Sequence, residues 1–115
     1  MNKHDENYLR LMLEAAREAQ SFAVGKSKND LTENRMLLLA LAKSIETVAP
    51  MASKVSNEGK GECRIIPWAD IANAGGLLTN SYFYTNADVV WHTVTEELPT
   101  IIGELERLLP SIDAK

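Results

Sequence analysis

The sequence predicts an all-α fold: an antiparallel, up-down four-helix bundle with kinked helices, in a single domain over residues 1–115. Three observations predict it. Apolar residues recur at spacings of three and four through four separate stretches. Short polar breaks join those stretches, so neighbouring helices must run antiparallel. The one segment with strand character, TNSYFY, has no second strand to pair with and reads as the frayed end of a helix plus a turn. A chain of 115 residues has length for one self-standing core and little more.

The first helix is expected from about Asp5 to Val24, on a stripe of Leu9, Met12, Ala16, Ala19 and Ala23, with Tyr8, Leu11, Ala15 and Phe22 widening it. Gly25 follows, where a left-handed C-cap favours a residue without Cβ. Lys26 to Asp30 reads as a polar loop, with Asp30 or Thr32 capping what comes next. A second helix from about Glu33 to Val55 carries Leu38, Leu41, Ala42, Ile45, Val48, Ala49, Ala52 and Val55. Pro50 should kink it without ending it, because the stripe resumes in phase. Ser56 to Arg64 reads as a flexible connection with two glycines.

A third helix starts at Pro67, turns Trp68, Ile71 and Ala72 inward, and should end or loosen at Gly75-Gly76. The fourth starts near Asn86, with Asp88 facing the positive end of the helix dipole. Trp91, Val94, Leu98, Ile101, Leu105 and Leu108 form its seam, Pro99 should kink it, and Pro110 should end it.

Composition narrows the function classes. Hydrophobic residues at 45% and charged residues at 24% are ordinary for a soluble globular domain. No run of 18 apolar residues occurs, so no spanning helix is expected. The polar MNKHDENYLR start has no secretory h-region, and a lone Cys63 cannot close an intrachain disulfide; both fit a cytoplasmic protein. Charge is uneven. Residues 1–64 hold ten of the twelve Lys and Arg against nine acids, whereas 65–115 hold two against seven. From Ile65 to Glu106 there is no Lys or Arg at all. Phosphate binding needs cations to replace counterions, so an RNA groove would have to come from the first half or from another subunit.

Metal and cofactor chemistry is not expected. Cys63, His4 and His92 share no ligand spacing. Glu96, Glu97, Glu104 and Glu106 lack the Glu-x-x-His spacing of di-iron bundles and read as a solvated helix face. His92 reads as a surface histidine, and no phosphate loop or nucleophile motif is present.

One further layer lies in the string YFYTNADVVWHTVTEELPTIIGELERLL. With its Tyr-Phe pair, Asp88-Val89-Val90-Trp91 and Glu97-Leu98-Pro99, it resembles the C-terminal signature of the HepT-like branch of the HEPN superfamily. YLRLMLEAAREAQSF, RMLLLALAKSIETV and Ile66-Pro67-Trp68 resemble that family's first, second and third helix entries, so the resemblance runs from about Tyr8 to Leu109. It implies a HEPN-like bundle that forms homodimers, encoded beside a minimal nucleotidyltransferase as toxin and antitoxin. It also implies a metal-independent endoribonuclease activity carried by an Arg-x4-His motif with a Tyr two residues on. His would move protons while Arg stabilises the charged phosphorane.

Laid on that pattern, the Arg position is Gly75, the His position is Asn80, and the Tyr is Tyr82. A Gly-Glu pair of the second helix becomes Ala49-Pro50. Gly and Asn can supply neither cation nor proton. The expectation is therefore a degenerate, non-hydrolytic binding or regulatory partner of a nucleotidyltransferase or of an active paralogue. The alternative is a ribonuclease working through Tyr82, His92, Arg10 or Arg17. Tyr82 is also a candidate AMP acceptor, beside its plainer reading as an aromatic packed at the bundle end.

Overall fold

The bundle is built around its second long helix, whose neighbours settle the position of everything else. The computed structural model describes residues 1–79 and 86–113. In chain order the elements are α1 (Lys3–Ala23), α2 (Lys28–Glu33), α3 (Arg35–Lys54), α4 (Asn57–Glu62), α5 (Trp68–Thr79), α6 (Ala87–His92), a π-helical turn (Thr93–Glu97) and α7 (Leu98–Asp113). No strand occurs among the described residues. Counting α6, the π turn and α7 as one rod, the four long helices are those expected, and the fold is an all-α bundle. α3 lies between α1 and α5, while α7 closes the other side of α1.

All eight apolar residues expected to form the α3 stripe are buried, and Leu41, Ile45 and Val48 are completely so. By length and composition α3 is also apolar enough to cross a membrane, which the absence of an 18-residue apolar run had seemed to exclude. Here it is the core helix, and the same apolarity serves α1 and α5. Leu9, Met12, Ala16 and Ala19 of α1 and Val94, Leu98, Ile101 and Leu105 of the last rod complete a single core.

α1 ends as expected: Gly25 sits at φ +74°, and the Lys26 amide donates to the Ala23 carbonyl at 3.0 Å. The two stretches expected to be loops instead hold one short helix each. α2 forms because Ser27 and Asp30 make a reciprocal capping box, in which the Ser27 amide donates to Asp30 Oδ2 at 2.6 Å. Asn34, not Asp30 or Thr32, then caps α3 by accepting from the Leu37 amide.

α4 depends on a carboxylate 51 residues away. Asp5, 2% exposed, accepts from the Ser56 amide at 2.9 Å and the Ser56 hydroxyl at 2.5 Å, and Ser56 Oγ accepts from the Gly59 amide. Burial alone would push the Asp5 carboxyl up. The Ser56 hydroxyl and amide, with the nearby N-terminal and His4 charges, outweigh it and leave it below the ordinary 3.8. Gly59 is required at this contact, since a Cβ there would lie 2.6 Å from Asp5 Oδ2.

The prolines behave differently from one another. α3 continues through Pro50, as expected, whereas α7 runs on through Pro110 to Asp113 instead of ending there. Pro99 sits in the first turn of α7, directly after the π turn. Widening the helix by one residue per turn just before a proline is one way to absorb its missing N–H and ring clash.

Gly75-Gly76 neither ends nor loosens α5, which runs unbroken to Thr79. The two glycines differ. A Cβ on Gly75 would fall on the Cβ of Ala49, inside the 3.0 Å that real Cβ atoms respect, whereas one on Gly76 would meet nothing within 4 Å. Gly75 is thus the point where α5 and α3 touch, and close packing there offsets its poor helix propensity. Gly75→Ala is expected to destabilise the protein by about 1–3 kcal/mol through overpacking. Gly76→Ala, placed one residue on in open space, should stabilise it by about 0.5–1 kcal/mol. Chemical denaturation of the two variants side by side checks both signs.

Candidate functional site

Two concavities flank α5, and they separate residues that the sequence suggested might act together. The first, about 300 Å³, lies between α3 and α5. Glu46, Ala49, Pro50 and Ser53 line one wall, and Ala72, Gly75 and Gly76 line the other. The structure therefore brings Gly75 and Ala49-Pro50 face to face. It also shows that position 75 is closed by packing, because no side chain fits between the helices there. Ala72, expected in the core, is exposed on this wall. Asn80 and Tyr82 lie outside the described residues.

The second concavity, about 370 Å³, lies on the other side of α5, against α6 and the π turn. Asp70, Asn73, Ala74 and Leu77 come from α5; Asp88, Val89, His92, Thr93 and Glu97 come from the rod opposite. His92 is exposed, as expected, and its Nε2 stands 3.6 Å from Glu97 Oε1. It lines this groove and not the one holding Gly75. Arg17 is committed elsewhere, since its Nη2 meets Glu106 Oε2 of α7 at 2.7 Å. Arg10 lines neither groove.

Glu97 is the residue that the sequence reading missed. Expected on a solvated face with Glu96, Glu104 and Glu106, it is 9% exposed, and Glu104 is buried as well. Glu104 is held by an ion pair from Arg107, one turn on in α7. Glu97 has weaker company. Its Oε2 is buried without a hydrogen-bond partner. Burial first, then the charge of Asp70, push its carboxyl above the ordinary 4.5, with His92 pulling the other way. The signal was present: Glu97 stands three residues after Val94 and four before Ile101, inside the apolar stripe.

Asp88 fills its expected place in the first turn of α6, where Asn86 caps by accepting from the Asp88 and Val89 amides. Its carboxylate is paired with Lys28 of α2. Cys63 is buried and free, its thiol pushed up to about 11 by burial and then by Glu104 and Glu62. It is a protonated, inert core residue.

The fold is an all-α helical bundle. Residues 12–108 match the family described as Ribonuclease HepT-like. The chain belongs to the HepT-like family of the HEPN superfamily. It is 25% identical over 108 residues to a protein of Thermococcus cleftensis named as a probable ribonuclease HepT, covering 94% of this chain and 98% of the relative. It is 24% identical over 107 residues to a protein of Methanocaldococcus jannaschii provisionally named as an RNase, covering 92% and 98%. No solved structure gives a significant match.

A carboxyl whose folded pKa lies above its unfolded value of 4.5 holds its proton more tightly in the folded chain. Stability therefore falls as pH rises from 4.5 through the folded value, and at neutral pH Glu97 is a standing cost. Glu97→Gln, neutral and of the same shape, should raise the melting temperature at neutral pH. The gain should shrink to nothing as the pH is lowered to about 4.5, as thermal melts across that range will show.

Proposed function

We propose that this HepT-like protein does not hydrolyse RNA and acts as a binding or regulatory partner of a minimal nucleotidyltransferase, in a system of the toxin–antitoxin type. One observation carries the reading: the position that should supply the cation to the phosphorane is Gly75, and the helix contact with Ala49 leaves no room for any side chain there. A simple substitution could be rescued by a neighbour, whereas here the Cβ of Ala49 occupies the space. The charge distribution supports the same reading. No Lys or Arg lies between Ile65 and Glu106, and the larger groove presents Asp70, Asp88 and Glu97. Carboxylates in that place repel a phosphodiester and its more negative transition state.

The proposal places the protein in the cytoplasm as a homodimer. Leu11, Phe22 and Met36 of the first two long helices stay exposed, which supports a further apolar contact. Light scattering at micromolar concentration is expected to give twice the 12.7 kDa chain mass. A monomer would remove this part of the proposal.

The central test is direct. Purified protein incubated with tRNA and mRNA, in the absence of divalent metal, is expected to leave both intact. Cleavage at rates typical of the family would sink the proposal. If that cleavage were abolished by His92→Ala, it would establish a ribonuclease using the His92–Glu97 pair.

A further inference from the structure

The groove between α5 and the π turn holds an unmet demand for positive charge. Glu97, 9% exposed, lines it with Oε1 3.6 Å from His92 Nε2 and with Oε2 bonded to nothing. Asp70 and Asp88 line the same groove. Lys28 answers Asp88 from α2. No Lys or Arg between Ile65 and Glu106 can answer the other two, because that stretch contains none, and His92 stands beside Glu97 Oε1 alone. Arg17 and Arg107 are engaged with Glu106 and Glu104.

A buried carboxylate oxygen without a partner carries its full desolvation cost, and a binding partner that satisfies it recovers that cost. The chemistry of the partner is readable from the walls. No three His, Cys, Asp or Glu side chains among the described residues are placed to hold a metal ion. What the site can hold is a polyatomic cation with several N–H donors. One carboxylate with both oxygens poorly served matches the parallel donors of a planar fork better than a point charge. The terminal torsion of a Glu side chain is soft and two-fold, so Oε2 can turn toward the groove at small cost. Ala74, Leu77 and Val89 provide the apolar wall that a methylene stem needs.

We propose that this groove receives the guanidinium of an arginine side chain presented by a partner protein, with Glu97 as its bidentate acceptor and Asp70 as a second negative group. The partner's identity as a protein rests on reading this chain as a non-hydrolytic binding partner; the pocket's preference for a guanidinium does not.

The test uses the full chain and the capped pentapeptide Ala-Ala-Arg-Ala-Ala, titrated while backbone amide NMR shifts are followed. Saturable shifts are expected at Asn73, Thr93 and Glu97. The same peptide with citrulline or lysine in place of arginine should bind at least several-fold more weakly. Glu97→Gln, which should fold at least as stably as the parent, is expected to weaken arginine-peptide binding about tenfold, the loss of one charge-assisted bond. Glu96→Gln, at the exposed neighbour, should leave it unchanged. Equal binding of the citrulline or lysine peptide, an unaffected Glu97→Gln, or no saturable shift at millimolar peptide overturns the proposal. The two readings separate cleanly. Arginine-peptide binding by a protein that cuts RNA would overturn the proposed function alone. Intact RNA with no peptide binding would overturn the arginine pocket alone.

Discussion

The separation of α3 and α5 at Ala49 and Gly75 is the dimension from which the rest of this bundle is measured. Residue 75 lacks a Cβ, so the helices meet at a distance that any other residue would forbid. Each glycine inside a helix costs about 1 kcal/mol relative to alanine, and α5 carries two in succession. The helix persists because a close approach lets Ile71, Ala74 and Leu78 bury against α3 and the last rod. Packing wins over propensity here, as it usually does when one face of a helix is fully used. The same contact sets the shape of both grooves, since α5 is their shared wall.

The acidic second half is organised and not merely solvated. Glu106 is answered by Arg17 across from α1, Glu104 by Arg107 within α7, and Asp88 by Lys28 of α2. Two of these pairs borrow their cation from the first half of the chain, so the uneven charge of the sequence is partly a docking code between halves. Exposed pairs of this kind contribute little to stability. Among the described residues the Glu97 carboxylate, by contrast, has a neighbouring imidazole at Oε1 and no hydrogen-bond partner at Oε2.

Periodicity made the long helices legible. α1, α3 and the seam of α7 could be read because their apolar residues recur in phase over five turns or so. α2 and α4 could not, because six residues are too few to show a period and their stability comes from caps. Ser27 with Asp30 is a local signal that was visible and unused. Asp5 with Ser56 is a contact across 51 residues that no local pattern contains. Gly75-Gly76 misled because a sequence displays the cost of glycine and hides the neighbour that justifies it. Glu97 misled for the opposite reason: its position in the stripe was readable, and its charge argued it out of the core. The meeting of Gly75 with Ala49-Pro50 came from family resemblance, since nothing in spacing alone joins residues on two different helices.

The two grooves are not independent, and α5 is the reason. Gly75 faces α3 while Ala74, its neighbour, faces the carboxylate groove with Leu77. A helix is stiff over this length, so any side chain forced into position 75 must push α5 away from α3 and toward the π turn. That displacement would close on Glu97, a carboxylate already short of partners. A π turn is the place in the opposite wall with the most freedom to respond, because its hydrogen bonds are already off the α-helical register. An arginine introduced at 75 would therefore disturb the carboxylate groove as well as the contact between α3 and α5. The two sides of α5 are in this sense coupled: the close approach at Gly75 that leaves no room for a side chain on one side also fixes where α5 stands against the groove holding the unpartnered Glu97 Oε2.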